Sequence, residues 1–369
     1  MLVPIGFVFA ALALSIASAV AQDFVKTSGR RFTLNGAKFT VIGSNSYWVG
    51  LSGLSTTDMN KAFAGIAKTG ATVARCVRSS ASRIPTQPPF LTLIVALELC
   101  RRISLRTRID LKCQIFSMIP GVSTKSPVCP ESHTTKIIGN DQPHDLFYTN
   151  AKVISAYKNY INAFVGRYKN EPTIMAWELA NEPRCKGTTG KTSGTCTPAT
   201  ITKWATDISA YIKSIDSNHL VALGDEGFFN RHGSSSFLYQ GSEGIDFDAN
   251  LKISTLDFGT THCYPENWGQ KTDPTAWGSQ WIKDHAASQK SANKPVILEE
   301  FGVKNSQNST YTTWLSTVIS SGLTGNLIWQ AGSVLSNGQR TPDDGYAIYP
   351  DNPVYLTLTS HASALKARA

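Results

Sequence analysis

A chain of 369 residues, 41% of them hydrophobic, is long enough to bury one large core. Its formal charge of +9 is uneven: residues 76–140 hold nine Lys/Arg against three Asp/Glu, a net +6, which leaves 9 − 6 = +3 for everything else. With no basic stripe interleaved with aromatics, nucleic acid is excluded as an expected partner.

The opening 21 residues hold an apolar stretch from Leu2 to Leu14, including Val3, Ile5 and Phe7, and end in the small residues Ala17-Ser-Ala-Val-Ala21. This is the pattern of a cleaved signal peptide. The run falls short of the roughly 20 apolar residues of a spanning helix, and no later stretch reaches that length. The expectation is a secreted, extracellular, monomeric protein with no membrane partner, whose mature part, residues 22–369, is a single catalytic domain.

From Lys38 onward, short β-branched runs alternate with longer amphipathic stretches, the pattern of repeated βα units. Strands are predicted at 39–43, 71–77, 91–97, 173–179, 220–224, 255–261, 296–299 and 323–329. Between 150 and 168, Ile154, Tyr157, Ile161, Phe164, Val165 and Tyr168 recur at helical spacing and predict a core-facing helix. Eight such units fit an α/β fold of the (β/α)8 TIM-barrel type better than an open doubly wound sheet.

Chemistry in such a barrel sits where strands end at their C-termini. The fourth predicted strand delivers Asn181 and Glu182 just before Pro183. After the fifth, Gly224-Asp-Glu-Gly227 places Glu226 in a loop where it could take a sugar hydroxyl. The sixth ends at His262 and Tyr264, an imidazole and a phenol on one side of an extended segment, suited to orienting a carboxylate. The seventh delivers Glu300 ahead of Phe301 and Gly302. The eighth ends at Trp329, a flat face for the C–H surface of a sugar ring. Singly, each has a structural alternative: a salt-bridging Glu, a satisfied core His, a packing Trp. Together, two rim carboxylates supply what glycosidic cleavage needs, a proton donor and a nucleophile or base. Their separation decides the stereochemistry, about 5–5.5 Å for retention and roughly 6.5–9.5 Å for inversion.

Seven cysteines are an odd number. Cys185 and Cys196 bracket a polar loop and are the predicted disulfide, since a crosslink restrains such a loop in an oxidising compartment. Asn308-Ser-Thr310 offers a glycosylation acceptor at Asn308. The histidines are scattered, with no HExxH or HxH pair, so neither a metal nor another cofactor is expected.

Trp177-Glu-Leu-Ala-Asn-Glu-Pro-Arg-Cys185, Thr261-His-Cys-Tyr-Pro265, Leu298-Glu-Glu-Phe-Gly302 and Asp344-Gly-Tyr346 resemble the fungal endo-β-1,4-mannanases of glycoside hydrolase family five. So do Phe32-Thr-Leu-Asn-Gly36 and Gly43-Ser-Asn-Ser-Tyr-Trp48, and the likeness runs nearly unbroken from about residue 144 to 366. The resemblance implies retention, with Glu182 as acid/base and Glu300 as nucleophile. It also implies a polysaccharide substrate of the mannan type, with Asn181, Tyr264, His262 and Trp329 lining the cleaved bond and Arg75 at the end of the second strand. That mechanism asks for a raised pKa at Glu182 and for donors that keep Glu300 ionised.

Between Cys76 and about residue 140 the likeness fails, apart from Leu93-Ile-Val-Ala-Leu97. Relatives continue from the Arg75 position into Trp-Gly-Phe-Asn, whereas this chain has Cys-Val-Arg-Ser-Ser. The segment reads as translation out of frame or through an unspliced intron, with a divergent insertion as the alternative. Two other functions stay open from sequence: an endo-β-1,4-glucanase on the same barrel, and a non-catalytic sugar-binding relative inactivated by this segment.

Overall fold

The computed structural model describes residues 23–50, 54–76, 112–116, 137–139, 142–186 and 191–368, with 112–116 described by backbone alone. The expected signal peptide and the predicted strand at 91–97 lie outside the described residues.

Eight strands form one parallel sheet: β4 (Ile42–Asn45), β5 (Val73–Cys76), β6 (Lys112–Phe116), β7 (Ile174–Glu178), β8 (Leu220–Ala222), β9 (Gly259–Cys263), β10 (Val296–Phe301) and β11 (Gly325–Ile328). The spatial order is β8-β7-β6-β5-β4-β11-β10-β9, which is the chain order wrapped round a circle. Across the remaining seam, Asp257 N donates to Val221 O (2.8 Å) and His262 N to Glu226 O (3.1 Å), joining the β8 and β9 segments. The fold is therefore the expected (β/α)8 barrel.

Two strand predictions move. The third barrel strand is β6, which pairs Val73 with Lys112 and Phe116 with Glu178. Its Lys-Cys-Gln-Ile-Phe lacks the continuous apolar run that marks strands buried on both faces, so pattern alone did not single it out. The run predicted at 255–261 becomes a strand only at Gly259. Ahead of it, the Asp257 carboxylate accepts from Val221 N at 2.7 Å, a side-chain bond where a backbone ladder was expected.

Helices cover the outside. Ala151–Tyr168 starts where Asn150 caps Lys152 N and Val153 N, and it buries Val153, Tyr157, Ile161, Phe164, Val165 and Tyr168; Ile154 is only partly buried. A separate antiparallel sheet of β1 (Lys26–Ser28), β2 (Arg31–Leu34) and β3 (Ala37–Phe39) precedes the barrel. Its Phe32 and Phe39 join Val25 and Val41 in a cluster with Val73, Met175, Leu220, Ile297 and Leu327 from the barrel strands. That cluster fills the barrel from its N-terminal end and leaves the opposite rim for polar groups.

Candidate active site

The strands place their last residues at one rim. Glu182 follows β7, and its backbone adopts φ 51, a conformation uncommon for a residue with a side chain. Its N–H donates to Gly224 O at 2.8 Å. Gly224 (φ 84) has no alternative: a Cβ there would lie 1.9 Å from Ala180 O and 2.1 Å from Glu178 Oε1. Glu300 arrives in β10, which slips register by a bulge between Leu298 and Glu300 and so re-aims the carboxylate.

Glu182, His262 and Glu300 bring one oxygen or nitrogen each within 4.8 Å of one another. One oxygen of each carboxylate therefore faces the other across less than 4.8 Å, close enough for both to serve one bond. The spacing would also suit a cation, but Arg75 and His262 already meet the cluster's negative charge. Arg75 is fully buried and bonds Glu300 through Nη1. It also reaches Asn45 Oδ1 (2.7 Å), Asn181 Oδ1 (2.9 Å), Glu178 Oε1 (3.1 Å) and Glu299 Oε2 (3.3 Å). Tyr264 donates its hydroxyl to Glu300 Oε2 at 2.8 Å. Burial, then the charges of Glu300 and Glu182, hold this phenol far above its usual range, so it stays a donor.

His262 Nδ1 lies 2.9 Å from Glu182 Oε1 and 3.6 Å from Glu300 Oε2, and its Nε2 lies 3.4 Å from Glu299 Oε2. Burial disfavours the imidazolium, but the Glu300 charge and the bonds to Glu182 and Glu299 outweigh it and raise the His262 pKa well above its ordinary value. The converse holds at Glu182. Burial opposes ionisation there, yet the bond to His262 and the charges of His262, Arg184 and Arg75 hold the carboxyl below the usual range. The raised Glu182 pKa that the mechanism asks for is thus not the direction the free site takes: within the Glu182–His262 pair the carboxyl is shifted down and the imidazole up. Glu178 is the group that burial drives far upward, despite Arg75 beside it.

Glu226, expected at a sugar hydroxyl, is 2% exposed and gripped at both oxygens by Arg184 Nε and Nη2, each at 2.5 Å. Burial, then the Glu182 charge, pushes it up to about 7. Arg75, Tyr264 and His262 thus bond the carboxylate pair directly, Asn181 accepts from Arg75, Glu226 is held by Arg184, and Trp329 N donates to Phe301 O (3.3 Å), next to Glu300. Trp329 stacks on Tyr47 with ring centroids 5.5 Å apart and planes 8° apart. Its Nε1 donates to Asp344 Oδ2 (2.8 Å), and Gln330 Nε2 donates to Asp344 Oδ1 (3.1 Å), across a cis Trp329–Gln330 bond. Asn45, Tyr47, Glu178, Glu299 and Asp344 were not singled out as site residues from sequence. The strand-end rule applied to β4 would have found Asn45.

Cys185 and Cys196 are joined, with Cα atoms 5.5 Å apart, just beyond Arg184. Cys76 and Cys263 are buried free thiols. Asn308 is exposed at the start of the helix Gln307–Ser321, where its Oδ1 accepts from Thr357 Oγ1 at 2.7 Å.

Comparison with known proteins agrees with this geometry. Residues 129–337 match the family model described as GH family 5 beta-mannosidase-like. Mannan endo-1,4-beta-mannosidase A of Podospora anserina is 37% identical over 93% of this chain and 91% of its own length. The enzyme of the same name from Aspergillus aculeatus is 34% identical over 95% and 93%. The crystal structure of the endo-1,4-beta-mannanase from Rhizomucor miehei superposes with a TM-score of 0.81 at 35% identity, covering 93% of this chain and 99% of that one. A barrel with two facing rim carboxylates, matched over nine-tenths of its length by these relatives, belongs to glycoside hydrolase family 5.

Proposed function

We propose that the protein is a secreted, endo-acting, retaining glycoside hydrolase that cleaves β-1,4-mannosidic bonds in mannan, galactomannan and glucomannan. The observation that carries the reading is the pair Glu182 and Glu300, each with an oxygen within 4.8 Å of the other and of a His262 ring nitrogen.

Glu300 Oε attacks the anomeric carbon as the glycosidic C–O bond breaks, and the departing oxygen takes its proton from Glu182. Arg75 and Tyr264 aim the attacking carboxylate. The proton comes from the Glu182–His262 pair, 2.9 Å apart. Ester formation removes the negative charge 3.6 Å from His262, which weakens the pair's hold on a proton. In the second half a water attacks the same carbon, gives its proton to the pair through Glu182, and the bond to Glu300 breaks. Asn181 and Trp329 line the cleaved bond; Arg75 acts through Glu300, and Glu226 acts through Arg184, whose charge bears on Glu182.

The same proposal covers the rest of the chain. Cleavage after Ala21 leaves a monomeric catalytic domain over 22–369 that carries a glycan on Asn308, outside the cell. Among the described residues no helix is long and apolar enough to cross a membrane. The stereochemical test is proton NMR of early mannan digests: the β anomer of the new reducing end appears first if the mechanism is retaining, and the α anomer first would overturn it.

A further inference from the structure

At the end of the barrel away from the catalytic rim lies a pocket of about 370 Å³ lined by Arg30, Arg31, Lys38 and Arg368, with Asn293 and Thr324 between them. Arg31 belongs to β2 and Lys38 to β3, the sheet that fills the barrel from below, and Thr324 directly precedes β11. None of the four cations belongs to the anomalous 76–140 segment, and no carboxylate is among the described residues that line the pocket.

Two of the cations, Lys38 and Arg368, are held by backbone carbonyls, and among the described residues no salt bridge meets any of the four. Arg368 donates to Val318 O (2.9 Å) and Leu323 O (2.8 Å), and Lys38 Nζ donates to Lys366 O (3.3 Å) and to Arg368 O. Carbonyls satisfy donors without neutralising them. The effect shows in the titration directions: burial, then the charges of Arg368 and Arg31, lower the Lys38 pKa, and burial, then Arg31, lowers that of Arg368. Like charges fixed around one concavity focus a positive potential that an anion relieves. The volume lies within the range of roughly 300–1,000 Å³ common for small-molecule sites.

We propose that this pocket binds an oxyanion-bearing ligand, either a carboxylated saccharide or a free inorganic oxyanion, independently of the catalytic rim. Independence follows from position, since the two sites sit at opposite ends of the same strands. The test is calorimetric titration of the full chain at low salt with trigalacturonate, its neutral methyl ester, and inorganic phosphate. Saturable binding of one trigalacturonate or phosphate per chain, weakening as salt rises and absent with the ester, is expected. The Arg31→Glu/Lys38→Glu variant, altered at exposed positions, should lose at least tenfold in affinity with mannan turnover unchanged. The charge-matched control Lys203→Glu/Lys283→Glu, on exposed positions of outer helices, should bind as the parent does. Tighter binding of trigalacturonate than of phosphate assigns the saccharide; the reverse order assigns the free oxyanion. The proposal is overturned by equal losses in both variants, by equal binding of the ester, or by no binding of either anion at millimolar concentration.

Discussion

At the scale of single residues, the site is a set of carboxylates distinguished by their neighbours. Tyr264 contributes one hydrogen bond to a charged acceptor, worth about 1.5–3 kcal/mol. Tyr264→Phe is therefore expected to lower kcat on mannan by about 10- to 100-fold with little change in KM, as steady-state kinetics would register. A loss confined to KM would mean that the phenol holds substrate and not Glu300. Asp225 tests the electrostatics away from the chemistry. Burial lifts it to about 7, while its bonds from Asn250 and Gly227 pull the other way. A carboxyl whose folded pKa exceeds its unfolded value, 3.8 here, binds more protons when folded between the two values. Its stabilisation is complete below about pH 4 and drains at up to ~1.4 kcal/mol per unit as pH climbs to about 7. Asp225→Asn keeps an acceptor and removes the titration, so its Tm should fall less than the parent's between pH 5 and pH 7. Parallel curves would show that Asp225 does not titrate in that window.

The residue scale also shows how far sequence reached. Glu182, Glu300, His262, Tyr264 and Trp329 were legible because each ends an apolar run, and a barrel collects strand ends at one rim. Glu178 and Glu299 were not, because they lie inside those runs, and only the packing of β5, β7 and β10 brings both to Arg75. The direction of the Glu182 shift was not legible either, for a similar reason. His262 looked like an orienting group, and its place among three carboxylates, at 2.9, 3.4 and 3.6 Å, is a matter of three dimensions.

Elements carry the site into position. The loop after β7 turns through Glu182 and runs to Cys185, whose bond to Cys196 ties it back at a separation of 11 residues. Arg184, next to the disulfide, also reaches Glu243 Oε2 at 3.1 Å, so the crosslink steadies the clamp on Glu226. Removing it with Cys185→Ser/Cys196→Ser should cost about 2–3 kcal/mol of stability, seen as a lower denaturant midpoint. Turnover at 25 °C should fall more modestly, because the strands and not this loop carry Glu300. An unchanged midpoint would show that the loop is held by its other contacts. Strand prediction succeeded where both faces of a strand are buried, as in β7 and β10, and failed at β6, whose polar and apolar residues alternate.

For the whole molecule, the barrel closes with β6 paired to β5 on one side and, with one register shift, to β7 on the other. Residues 77–111 and 117–136 lie outside the described residues, so the question raised by their composition passes to function. The direct measurement is reducing-end release from mannan and from a β-1,4-glucan by this chain as written, with Glu300→Ala as the blank. Mannan cleavage that exceeds glucan cleavage and falls by about 10⁴-fold or more in the variant is the predicted result. Undiminished cleavage in Glu300→Ala, or a preference for glucan, would contradict it.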